Sequence, residues 1–138
     1  MDVKQFLENI ALSKGWRFIH ARRDYQNLHD VLNYVRDEIE SFEDNETGIF
    51  LDPVTTNRPA DGILYTGSFM VLTKSDLDMT YEQKYDTYIK PAKEYINGAL
   101  WNKLRCDFDI NTWTTIEVIN VFDFNADGVS VQFNLKGY

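Results

Sequence analysis

Two histidines, one cysteine and a scatter of carboxylates are the side chains of this sequence that could move protons, bind metal or attack a substrate. An imidazole exchanges a proton near neutrality, so His20 beside a carboxylate such as Asp24 could form an acid–base pair. The same spacing suits a histidine hydrogen-bonded on a sheet. A second set, Asp107, Asp109 and Asp123, would serve a small enzyme if folding brought them to one concave pocket. His20 and His29 are nine residues apart with no third imidazole to complete a transition-metal site. Cys106 stands alone, which rules out an intrachain disulfide and any cysteine metal site; it is expected to be a buried, inert thiol.

Asp123-Phe124-Asn125-Ala126-Asp127-Gly128 matches the first half of a calcium-binding loop, with oxygen ligands at alternate positions before a glycine. The second half fails, because Asn134 occupies the place of the bidentate carboxylate, and both flanks read as strands. A turn in which Asn125, Asp127 and Gly128 tolerate positive φ is the expectation. No phosphate-cradling glycine loop or dinucleotide fingerprint is present, and Gly67-Ser68 lacks the flanking glycine of a nucleophile elbow. Tyr81, Tyr85, Tyr88 and Tyr95, with Trp101, could stack on sugars or bases, but their helical spacing favours core packing or a subunit contact. No catalytic residue, cofactor or metal is expected.

The elements that would position these groups follow from periodicity. Val3, Phe6, Leu7, Ile10 and Ala11 share one helical face; Asp2 and Gln5 form a capping box, and Gly15 ends the helix. Trp16 to Arg22 alternates as a strand, with Trp16, Phe18 and His20 on one side. Leu28, Val31, Leu32, Val35, Ile39 and Phe42 recur at helical spacing after Asn27, predicting a second helix to about Ser41. Residues Asp37 to Glu46 carry six carboxylates in ten positions, a wet helix end and loop by this reading.

Gly48 to Leu51 reads as a short strand, Thr55 to Gly62 as an exposed loop, and Ile63 to Thr73 as a strand with a bulge or close approach at Gly67. Thr80 and Gln83 form a second capping box, opening a long helix to Leu104 that Pro91 should kink near Tyr88 to Lys90. Ile116 to Phe124 and Val129 to Leu135 then form a hairpin turning at Asn125 to Gly128. The expected fold is a single α+β domain over residues 1–138. Its mixed, mainly antiparallel sheet of about five strands packs against the long helix, with an N-terminal helix and a C-terminal β-hairpin.

Composition narrows the partners. The 138 residues suffice for one core, 43% are hydrophobic and 14% aromatic, and the formal charge is -8, so a folded body is expected instead of disorder. Arg17, Arg22 and Arg23 form the only basic cluster, too little for neutralising a phosphate backbone; nucleic acid is not an expected partner. No apolar run could span a bilayer and the amino terminus has no secretory pattern, so a cytoplasmic, membrane-free location is expected.

The element order resembles phage and prophage tail-terminator or tail-completion proteins, small α/β subunits that form a ring where the tail tube meets the neck. The N-terminal helix, the strand with Gly67-Ser68-Phe69-Met70-Val71-Leu72, the long helix to Leu104, and the closing Asp127 to Leu135 carry the resemblance. It implies a non-enzymatic structural subunit, a homo-oligomeric ring contacting tail-tube and neck proteins, and passage from the bacterial cytoplasm into the virion. The acidic stretch and the polar loop Thr55 to Gly62 are additions to that pattern, and would project along the ring axis toward a basic partner. A soluble bacterial interaction module and a small enzyme built on His20 or the carboxylates are the other classes that the residues leave open.

Overall fold

Asp2 opens the first helix as its sequence predicts. Its carboxylate accepts the Gln5 N–H at 2.8 Å while the Gln5 side chain takes the Asp2 N–H, and Gly15 at φ +70° closes α1 (Val3–Lys14) in the left-handed conformation. In this computed structural model residues 2–20, 41–75, 79–119 and 126–138 are described. Residues 27–40 of the expected second helix, the end of the first strand at Arg22, and Asp24, His29 and Asp123 to Asn125 lie outside them. After α1 come β1 (Arg17–His20), β2 (Thr47–Leu51), β3 (Thr55–Asn57) and β4 (Ile63–Lys74). A long helical rod, β5 (Asp109–Val118) and β6 (Ala126–Gly137) complete the chain.

The strands form one mixed sheet in the order β1-β2-β4-β6-β5, with only the β1–β2 pair parallel. β2 occupies the Phe69–Thr73 part of the β4 edge, and β3 takes the remaining part at Leu64–Thr66. The loop expected over Thr55 to Gly62 is thus a strand at its start: β-branched Thr55 and Thr56 fill a length of β4 that β2 leaves unpaired. Gly67 does not bulge. The register runs through Gly67 opposite Phe133, and a Cβ there would meet the Phe133 ring at 3.2 Å, so the glycine serves a close approach. The irregularity falls instead between Ile110 and Thr112 of β5.

One face of the sheet holds the main core. Ile49, Leu51, Phe69, Val71, Val129, Val131, Phe133 and Leu135 alternate inward and pack against the buried stripe of α1 and against Ile89, Ile96, Leu100 and Leu104 of the rod. Each such side chain removed from water contributes about 1.5–3 kcal/mol. The opposite face has a smaller cluster of Ile19, Phe42, Phe50, Leu72 and Ala126. Towards β6 and β5 that face becomes polar, with Thr112, Thr114, Gln132 and Asn134.

The rod is a single run of helical turns with two changes of pitch. It comprises α2 (Tyr81–Lys84), a π-helical turn (Tyr85–Ile89), α3 (Lys90–Tyr95), a second π-helical turn (Ile96–Leu100) and α4 (Trp101–Asp107). The Thr80–Gln83 capping box is present. Pro91 acts through the first π turn: lacking an N–H and crowding the carbonyl four residues back, it is tolerated where the preceding turn is already widened. The extra residue rotates the inward face, so Lys84 is buried one position before the expected Tyr85, and Tyr81 is 68% exposed.

Two further expectations change. The hairpin strands have other bounds: β5 begins at Asp109, and Ala126, Asp127 and Gly128, expected in the turn, lie within β6, opposite Lys74, Thr73 and Leu72 of β4. Cys106 is exposed, because two residues beyond the buried Leu104 a helix points to its other side.

Candidate functional site

Of the residues suspected of proton chemistry, those described lie far apart. His20 ends β1 and Asp109 starts β5, at opposite margins of the sheet and four strand spacings apart, about 19 Å. His20 lines a hollow of about 180 Å³ with Asp2, Lys4 and Tyr65, while Asp107, the last residue of the rod, and Asp109 are exposed. Asp109 accepts a hydrogen bond from the Tyr138 hydroxyl at 2.6 Å, which raises the Tyr138 phenol above its ordinary pKa. No group of three metal-ligating side chains occurs among the described residues.

Asp127 has a different role from the one its calcium-like sequence suggests. It is fully buried, its carboxylate accepts a hydrogen bond from the Ser75 hydroxyl, and the Lys84 ammonium lies 3.4 Å away. A carboxylate held this way ties β6 and the end of β4 to the first turn of the rod, and its oxygens are committed to protein donors. Arg17, from the expected basic cluster, pairs with Glu46 at 3.4 Å and lies over the Phe42 ring, which stacks on Phe50. The described part of the acidic stretch is therefore pinned by Phe42 and Glu46, while Glu43 and Asp44 remain solvated.

Two surfaces stand out once these groups are placed. The first is the outer edge of β5. Among the described residues β5 pairs only with β6, leaving its other row of backbone N–H and C=O groups open over ten residues. Its inward side chains are fixed to the rod: the Trp113 indole donates to the Asn97 amide oxygen at 3.2 Å, and Lys93 pairs with Glu117 at 2.9 Å. That hydrogen bond and the Glu117 charge raise the Lys93 pKa. Outward, Thr112 and Thr114 are exposed, Ile116 is 53% exposed, and Ile119 follows at 37%. Edge strands are commonly guarded by charges, proline or bulges. In β5 the irregularity at Asn111 and the carboxylates of Asp109 and Glu117 lie towards the ends, and Thr112 to Ile116 carries none of these guards.

The second surface is a cleft of about 340 Å³ on the helix-covered face, between the α1–β1 junction and the rod. Its floor is β2 and β4, where the Thr47 and Thr73 hydroxyls share a 2.7 Å hydrogen bond above buried Val71. One wall is the first π turn and its continuation, with Thr87, Tyr88 and Pro91; the Tyr88 hydroxyl donates to the Asn45 amide oxygen at 2.7 Å. At the other wall Trp16 meets Tyr95 edge to face, centroids 5.7 Å apart, and the Lys14 ammonium lies 4.1 Å from the centre of the Tyr95 ring. Partial burial raises the Tyr95 pKa. Tyr88 and Tyr95 thus belong to a cleft wall, whereas Trp101 lies beneath Arg105 near the far end of the rod.

Sequence reading singled out Tyr88 and Tyr95, as part of a helical series favoured for core packing or a subunit contact, but not Trp16, Lys14, Asn45 or the three threonines, which come from separate elements without a shared spacing. Pro91 was the one local signal that the rod changes pitch beside it. No helix among the described residues is long and apolar enough to cross a membrane. No family model matches the chain, and no curated protein or solved structure shows significant similarity to it.

Proposed function

We propose that this protein is a non-enzymatic assembly subunit that docks onto sister copies through the outer edge of β5. The unguarded edge segment Thr112 to Ile116 carries the reading: it offers backbone hydrogen bonds and a Thr- and Ile-bearing flank to an added strand or loop, on a strand already stiffened from within by Asn97 and Lys93. The edge itself does not oppose a copy of the same chain as the occupant, since Thr112 to Ile116 carries no charge. The wide separation of His20 from Asp109 also removes one arrangement on which an enzyme reading would rest.

The resemblance to tail-terminator proteins supplies the specific form of the proposal. The subunits form a ring at the end of a phage or prophage tail tube, contacting tube and neck proteins, and pass from the bacterial cytoplasm into the virion. A ring requires β5 to meet a different surface on the next copy, whereas a two-fold β5–β5 contact stops at a dimer. Light scattering at increasing concentration tests this, together with pull-down of a tail-tube subunit. The expected results are a species larger than a dimer, its loss in Thr114→Lys/Ile116→Lys, and capture of the tube subunit. A wild-type monomer at high concentration overturns self-assembly, a simple dimer overturns the ring, and an oligomer indifferent to both lysines overturns the β5 contact.

A further inference from the structure

The chain carries 22 acidic residues against 14 basic ones, yet none of the side chains lining the cleft is a carboxylate. The groups at its surface are mainly donors. Lys14 provides an ammonium with no carboxylate partner among the described residues, held over Tyr95 and 5.7 Å from Trp16. Asn45 spends its amide oxygen on Tyr88 and keeps its NH₂ for another acceptor. In the Thr47–Thr73 pair only one hydroxyl proton lies between the two oxygens, leaving the other to donate elsewhere, and the exposed Thr87 adds a third hydroxyl.

We propose that this cleft binds an acidic monosaccharide, a hexuronate-type ligand whose single carboxylate meets Lys14 and whose hydroxyls meet the amide and threonine groups.

Each competing class leaves something unmatched. A neutral sugar would leave the ammonium unneutralised, and an aromatic acid would cover three hydroxyls that it cannot bond. A phosphate monoester, with a charge of about -1.5 to -2, exceeds the one cation in the lining of an already acidic molecule. A pyranose carboxylate has one charge, several hydroxyls, and a C–H face for Trp16. The volume, about 340 Å³, lies at the small end of ligand pockets, which run from about 300 to 1,000 Å³.

The inference is independent of the β5 contact, since the cleft lies across β2 and β4 and away from the sheet margin that β5 forms. Its test is a titration of isotope-labelled protein with glucuronate, following the Trp16 indole N–H by NMR, with Trp16→Phe providing the assignment. A saturable shift at Trp16, with Trp113 unmoved, is expected. Lys14→Met should weaken binding about tenfold, as for loss of a charge-assisted hydrogen bond, and glucose should bind wild type more weakly by about the same factor. Asn45→Asp keeps a residue suited to the left-handed backbone there, φ +66°, and an acceptor for Tyr88 while adding a negative charge; it should abolish glucuronate binding. No saturable shift up to about 20 mM, far weaker than typical ligand affinities, overturns the proposal. Unchanged affinity in Lys14→Met or Asn45→Asp, or binding of glucose or benzoate as tight as glucuronate, also overturns it.

Discussion

Asp127 shows how far one residue's chemistry depends on where its strand begins. Placed in a turn it could present oxygen to a cation; placed in β6 it is fully buried and neutralised by Lys84 while accepting the Ser75 hydroxyl. Removing one partner of a buried pair leaves the other charge without its counterion. Asp127→Ala should therefore destabilise the protein by about 3–5 kcal/mol in urea unfolding, and the double variant Lys84→Met/Asp127→Leu should recover part of that loss. A single variant within about 0.5 kcal/mol of wild type, the range of ordinary surface substitutions, would show that the pair does not hold β6 to the rod.

Tyr95 yields a pH prediction at the same scale. Burial disfavours its phenolate, so its pKa is raised in the folded protein, which keeps the proton where the unfolded chain, with a tyrosine pKa near ~10, has begun to lose it. The associated stability is complete below that value and is lost as pH rises towards and through the folded pKa. Lys93 and Lys136 lose stabilisation in the same direction, because Glu117 and Asp61 favour their charged forms. The difference between wild type and Tyr95→Phe isolates the phenol: wild type should lose stability more steeply above about pH 10, and parallel curves would remove this role.

At the scale of elements, two glycines make opposite predictions. A Cβ on Gly128 would collide with the Val71 carbonyl in the neighbouring strand, so Gly128→Ala must push β6 away from β4, costing about 1–3 kcal/mol or more. Gly98 lies in the second π turn with nothing within 4 Å of its would-be Cβ. There Gly→Ala should stabilise by about 0.4–1 kcal/mol, because the unfolded chain loses freedom and no contact is strained. Thermal midpoints should move in opposite directions, and a shared direction would contradict the packing around one of them.

The same contrast explains what the sequence made legible. α1, its caps, β2, β4 and the start of the rod depend on local chemistry, and Asp2, Gly15 and Thr80 act at the expected places. β3 was missed because its pairing depends on how much of the β4 edge β2 occupies, a fact of another strand. The rod's inward face was displaced at Lys84 by a π turn that 3.6-residue periodicity does not represent. The early part of β5, Asp109 to Thr115, was missed because its threonines and asparagine lack a hydrophobic alternation; only pairing with β6 makes it a strand. The cleft was least legible, since α1 and β2 bring one member each, β4 two and the rod five, while Trp16 and Asn45 come from connections between elements.

For the whole molecule, the charge of -8 sets how copies can meet. Two acidic bodies repel over the Debye length, about 30 Å at 0.01 M salt and about 10 Å at 0.1 M. The exposed flank proposed for docking has no cation: Thr112, Thr114, Ile116 and Ile119 would contribute backbone hydrogen bonds and apolar area, neither of which salt weakens appreciably. Raising salt should consequently strengthen assembly by screening the repulsion while leaving the contact intact. Light scattering across this range should show the mean mass rising with ionic strength, and Thr114→Lys/Ile116→Lys should stay monomeric throughout, although its added positive charge reduces the general repulsion. A wild-type oligomer that dissociates as salt rises would mean that ion pairs hold the copies together, and would move the contact from β5 to a surface where acidic and basic side chains alternate.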